Sequence, residues 1–308
     1  MIRKLFTLVI AAYLAGCSAP GTVPRMPNSA NGPVSGVTPD AGAVCKPTPK
    51  TATNLFAAND LSSHVLEFSP PYKSAPKMLA SVQYAVAVAF DSKKNLFVTQ
   101  TGTNSVLEFK APYTGKPIAE TKAAFQAAYG IALDAHNNLF VADLRGNQVV
   151  ELAPPYTGKP KIAITKGIGS PDGLAFDTKC DLFVTNQSTN TVTEYAPPYT
   201  NAPIATIGSG YLNGPTGLAF SNNKLYVDSF YTDEMQVFAA PYTGAPVQTI
   251  VTGSGTEPYG IAFDPKQNLF VGLYGMSEIF EYASPYKGKP LTTITKGLTL
   301  PAGIAFGP

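Results

Sequence analysis

A tyrosine preceded by proline returns at Tyr72, Tyr113, Tyr156, Tyr199, Tyr242 and Tyr286, at spacings of 41, 43, 43, 43 and 44 residues. Four of the six copies run on into Thr-Gly or Lys-Gly. A period of this size is the length of one blade of four antiparallel strands, so it sets the architecture before any local reading is made. Six copies predict an all-β, six-bladed propeller of four-stranded blades.

Aligned on the tyrosine, each unit shows four short strand-like runs. The first is Gly130-Ile-Ala-Leu-Asp134, repeated at 173–177, 217–221 and 260–264. Small residues alternate with large ones, the period-two pattern of a strand, and place Gly and Ala where backbones crowd near an axis. The second is Asn-Leu-Phe-Val at 95–98, 138–141 and 268–271, varied at 181–184 and 224–227. The third is Val106-Leu-Glu-Phe109 and its equivalents; the fourth follows the Pro-Tyr turn. Turns rich in Asp, Asn and Gly join them. The first unit starts at Asn54 without an innermost strand, and the chain ends on Gly303-Ile-Ala-Phe306, an innermost strand with nothing after it. Pairing the two closes the ring and removes the open seam.

The chain's start has another character. Arg3 and Lys4 precede an apolar run, Leu5 to Leu14, too short to span a bilayer, followed by Leu14-Ala-Gly-Cys17. This order resembles a bacterial lipoprotein signal. The resemblance implies cleavage before Cys17, acylation of that cysteine, and anchoring in the cell envelope; Ser18 favours the outer membrane. Residues 1–16 are then signal peptide, 17–53 a flexible Pro/Gly/Ser-rich tether, and 54–308 the propeller. Cleavage removes two of 22 basic residues and none of 20 acidic ones, leaving a balanced chain without a basic run. Nucleic acid is therefore disfavoured as a partner. The chain is expected to act as a monomer whose membrane contact is its lipid anchor.

The sequence Pro-x-Gly-Ile-Ala-Phe-Asp, then Asn-Leu-Phe-Val, then Asn-x-Val-x-Glu-Tyr is similar to the NHL repeat, a relative of gluconolactonase-like and TolB-like six-bladed propellers. The likeness covers roughly residues 54–308, and the absence of Trp speaks against tryptophan-marked propellers of similar period. It implies ligands at the end of the channel where innermost strands begin. Two rings of side chains gather there: Val86, Tyr129, Asp172, Thr216, Tyr259 and Ala302, then Asn59, Gln100, Asp143, Asn186, Ser229 and Leu273. Gluconolactonase-like enzymes imply Glu, Asn and Asp metal ligands on the first ring. Only Asp172 matches, and Val, Tyr, Thr and Ala are poor ligands for a hard cation. NHL-type lyases imply histidines near the channel, but His64 and His136 fall on neither ring. No cofactor is expected.

The positive signal is aromatic. Tyr211, Phe230, Tyr231, Tyr259, Tyr274 and Met276 fall in ring-end loops and suit stacking on a sugar or gripping a peptide, or capping of the blade tops. The candidate binding residues are Tyr129, Asp143, Asp172, Asn186, Thr216 and Tyr259. A third-strand column of Glu67, Glu108, Glu151, Glu194 and Glu281 reads as structural, paired with lysines of neighbouring turns. The Pro-Tyr turns read as a rim in which Tyr covers the blade edge. Cys45 and Cys180 either form a disulfide that pins the tether or remain free thiols. The expected function is a non-catalytic module for a glycan, peptide or protein; the alternative is a metal-dependent lactonase or lyase using Asp172.

Overall fold

The computed structural model describes residues 52–121 and 123–308. The expected signal peptide and most of the tether, with Cys17 and Cys45, lie outside the described residues. Twenty-four strands among the described residues form six antiparallel four-stranded sheets, the six-bladed β-propeller predicted from the repeat. Blade 1 contains β1 (Asn54–Asn59), β2 (His64–Phe68), β3 (Lys77–Ser81) and, as its innermost strand, β24 (Pro301–Gly307). The pairs Asn54↔Gly307, Leu55↔Phe306 and Ala57↔Ile304 close the ring as expected. Blades 2 to 6 follow in chain order over 85–121, 128–164, 171–207, 218–251 and 258–294.

Second strands such as Leu96–Gln100 and Leu182–Asn186 are buried at every position, because each blade has a neighbour on both faces. Close approach at the axis is what the repeated glycines allow. A methyl group on Gly173 would collide with the Thr216 carbonyl of blade 5, and one on Gly260 with the Ala302 carbonyl of blade 1. The same contact recurs from Gly130 to Asp172, Gly217 to Tyr259 and Gly303 to Val86. A side chain at these positions would push adjacent blades apart.

The Pro-Tyr turns lead into the outermost strands, as the expected rim requires, but their tyrosines do more than cover a blade edge. Each tyrosine is buried, follows a cis proline and holds a left-handed backbone, φ 62 to 69. The Tyr113 ring meets Phe56 of the preceding blade edge-on at 5.8 Å, while its hydroxyl donates to the Lys94 carbonyl of its own blade at 2.8 Å. Tyr156 repeats this with Phe97 and Asn137, Tyr199 with Phe140 and Cys180, and Tyr72 with Phe270 and Thr53. A left-handed tyrosine costs on the order of 1 kcal/mol, which the buried ring and hydroxyl offset. Each tyrosine is thus a staple between blades.

The glutamate column is local, as expected, though its partners are mixed. Glu67 meets Asn54 and Lys77, Glu151 meets Lys161, and Glu108 and Glu281 accept from Asn95 and Asn268.

Candidate functional site

The innermost strands begin with a bulge that the alternation of the sequence does not reveal. Pairing with the second strand slips between Ala85 and Val88, Ala128 and Ile131, Pro171 and Leu174, and Pro258 and Gly260. Val86, Tyr129, Asp172 and Tyr259 stand in these bulges, and a bulge re-aims the side chain it carries. Blade 5 reaches the same end differently. Its strand starts only at Leu218, and the N–H groups of Thr216 and Gly217 bond to Asp228 Oδ1 at 3.0 and 2.8 Å.

These residues converge. Asp172 of blade 4 is 2 % exposed, and its Oδ2 accepts from the Tyr259 hydroxyl of blade 6 at 2.9 Å and from Gln187 Nε2 at 2.6 Å. Burial pushes the Asp172 carboxyl up to about 7, against the opposing pull of the Tyr259 and Gln187 hydrogen bonds. Burial also raises Tyr259 well above the ordinary phenol range, with the charge of Asp172 and the neighbouring Tyr129 adding to it. The Thr216 hydroxyl donates to Asp228 Oδ1 at 2.6 Å, whereas Asp228 Oδ2 is buried without a partner. Burial lifts Asp228 well above the carboxylate range, and Asp172 adds to the shift. A protonated Asp228 would avoid a buried charge.

An aromatic wall adjoins the carboxyls. Tyr259 lies 5.8 Å from Tyr274 and 6.1 Å from Phe230, and Phe230 meets Tyr231 edge-on at 5.3 Å. Single 3-10 turns, Phe230–Thr232 and Tyr274–Met276, hold these rings. The Tyr274 hydroxyl donates to Asp60 Oδ2 of blade 1 at 2.9 Å, and burial raises Asp60. Tyr211, Tyr231 and Met276 remain exposed on the same end.

Of the predicted residues, Tyr129, Asp172, Thr216 and Tyr259 come together here. Asp143 and Asn186 do not join them. Asp143 Oδ1 accepts from the backbone of Gln126, Ala127 and Gly146, and Oδ2 from Gln148. Asn186 accepts from Gly169 N and donates to Val184 O and Thr193 Oγ1. Both are buried caps that shape loops, since those loop N–H groups need acceptors. Gln187, Asp228 and Asp60 were missed. Asp228 had a signal, because it stands in the column that holds Thr99 and Thr185, which bond the equivalent bulge N–H groups.

A divalent cation fits poorly. Asp228 Oδ1 is filled by three donors, Asp172 Oδ2 by two, and among the described residues no group of three or more His, Cys, Asp or Glu is placed to hold a metal. His64 binds the Ser62 carbonyl with Nδ1, and His136 sits 4.0 Å from Asp134 in an opposite-end turn. Cys180 is disulfide-bonded. Its partner is outside the described residues, so the Cys45 pairing is neither placed nor removed.

No protein family and no curated protein matches the sequence. Solved structures share the fold. A streptogramin B lyase superposes with TM-score 0.64 at 12 % identity, over 88 % of this chain and 89 % of that one. Virginiamycin B lyase from Staphylococcus aureus gives 0.63 at 12 %, over 86 % and 89 %. The nidogen/laminin complex gives 0.68 at 17 %, over 83 % and 98 %.

Proposed function

We propose that this propeller is a non-catalytic binding module on an envelope-anchored lipoprotein, and that it grips a glycan or peptide segment over the Asp172–Tyr259 cluster. The observation that carries this reading is the Tyr259–Asp172 hydrogen bond, which joins blade 6 to blade 4 past blade 5 and places a polar pair beside aromatic faces. Such a pairing supplies stacking surface and directional hydrogen bonds together. One fold neighbour is a chain of a nidogen/laminin complex, in keeping with a propeller that takes a macromolecular partner. A further fold neighbour is described as a catalytically inactive lyase with a histidine replaced by alanine. Neither histidine of this chain lies in the cluster.

A second reading rests on one observation. A carboxyl near 7 suits proton transfer, so Asp172 would serve as the acid or base of a lyase or lactonase. The metal-dependent form of that reading lacks ligands among the described residues.

A thermal-shift panel of envelope oligosaccharides, short peptides and divalent cations separates the two. A ligand that prefers the native state raises the melting temperature. A glycan or peptide shift that Asp172→Asn and Tyr259→Phe abolish supports the binding module. A cation shift abolished by Asp172→Asn, or cleavage of a panel ligand by the wild type that Asp172→Asn abolishes, supports the enzyme and contradicts the module.

A further inference from the structure

Charge is sorted between the two ends of the propeller. The connections from first to second and from third to fourth strand share one end, here the turn end, because the strands alternate in direction. This end carries thirteen lysines, Lys73 to Lys289, of which all but Lys224 are exposed. It also carries ten carboxylates, from Glu67 to Glu281, and every one is buried or half-buried. Asp134, Asp177 and Asp264 are turned inward by the turn N–H groups they accept, such as Lys179 and Asn268. The most exposed charges there are lysines, although Lys77 and Lys161 pair with Glu67 and Glu151. The opposite end carries Asp60, Asp233, Glu234, Glu257 and Glu278, partly exposed like most of the turn-end carboxylates, beside the exposed Arg145, Lys166 and Lys296.

Apolar side chains stand among the lysines. Ile118, Ile204, Val247 and Leu291 are 57, 59, 56 and 61 % exposed. Each follows the proline that ends the Pro-Tyr turn of its blade, so equivalent positions in four blades place them at one height around the perimeter. The chain also joins the propeller at this end, through Ala52 to Asn54, and Cys180 lies in a turn of the same end.

We propose that the turn end docks on an anionic lipid bilayer, its lysines among the headgroups and its ring of aliphatic side chains at the headgroup–acyl boundary. Exposed lysines near an anionic leaflet bind it electrostatically, and apolar side chains add insertion. The aromatic and acidic end then faces away from the lipid.

Co-sedimentation of the full chain with phosphatidylcholine vesicles, and with vesicles that also contain phosphatidylglycerol, tests this. All variants keep the same N-terminal segment, so its own affinity cancels. Each lysine near the surface contributes about fivefold, so Lys93→Glu, Lys94→Glu, Lys179→Glu and Lys266→Glu together should weaken anionic-vesicle binding by several hundredfold. High salt should do the same to the wild type. Ile118→Ser, Ile204→Ser, Val247→Ser and Leu291→Ser should weaken binding and leave the salt dependence intact. Arg145→Glu, on the other end, should change nothing. Equal affinity for both vesicle types overturns the proposal, as does a four-lysine variant that binds anionic vesicles like the wild type. Loss of duplex-oligonucleotide binding in that variant, with vesicle affinity kept, also overturns it.

Discussion

The Tyr259 hydroxyl and the Asp172 carboxyl are 87 residues apart in sequence and meet at 2.9 Å. They belong to blades that are not neighbours, so the bond crosses the central mouth and ties blade 6 to blade 4. Tyr259 is held through Phe230 and Tyr274, and Tyr274 in turn reaches Asp60 of blade 1. With Tyr129 of blade 3 beside Tyr259 and Tyr274, blades 1, 3, 4, 5 and 6 therefore share one polar-aromatic cluster.

Asp172 makes stability fall as pH rises. Its folded-state pKa of about 7 lies above the ordinary carboxylate value, so the folded chain holds a proton that the unfolded chain releases. The contribution is full below about pH 4 and is lost as pH climbs to 7, by up to roughly 4 kcal/mol. Asp228 and Asp60 act in the same direction. Melting temperatures from pH 4 to 8 should decline for the wild type, and Asp172→Asn should decline less steeply.

The tyrosine staples make a graded prediction. Tyr199→Phe keeps the ring on Phe140 and loses the bond to the Cys180 carbonyl, at a cost of about 1 kcal/mol. Tyr199→Ala also empties the space between blades 3 and 4 and should cost about 3–5 kcal/mol. Urea denaturation of both variants checks the order. Equal losses would mean that the ring does not staple the blades.

Asp143 separates shaping from binding. Its carboxylate takes three backbone N–H groups and one amide. Asp143→Ala leaves those donors buried and should cost about 3 kcal/mol or more. Any ligand affinity at Asp172 should remain within about twofold at temperatures where the variant is folded.

Cys180 is bonded, and Cys45 is the partner expected from the sequence. Peptide mapping without reduction should recover a Cys45–Cys180 cross-link, and Cys180→Ser should lower stability by about 2–4 kcal/mol. Recovery of a Cys17–Cys180 link would exclude lipidation of that Cys17.

The blade count, the strand shared by the two chain ends and the glycine ring were all legible, because each follows from a repeat or from the size of a side chain. The bulges were not. Gly130-Ile-Ala-Leu looks like a regular strand, but pairing across Ala128 to Ile131 skips residues. Residue type misled at the second ring, where Asp143 and Asn186 have the chemistry of ligands. Counting loop N–H groups without another acceptor would have assigned them as caps, and that count needs coordinates. Tyr259 and Asp172 were visible as ring positions, but their bond depends on how far a tyrosine reaches across the mouth.

Isothermal titration of the best glycan or peptide from the thermal-shift panel into wild type, Tyr259→Phe, Asp172→Asn and Asp143→Ala tests the central claim most directly. If the ligand rests on the Asp172–Tyr259 pair, the first two variants should bind at least about tenfold more weakly, and the third should bind as the wild type does. Undiminished affinity in both Tyr259→Phe and Asp172→Asn would contradict the site.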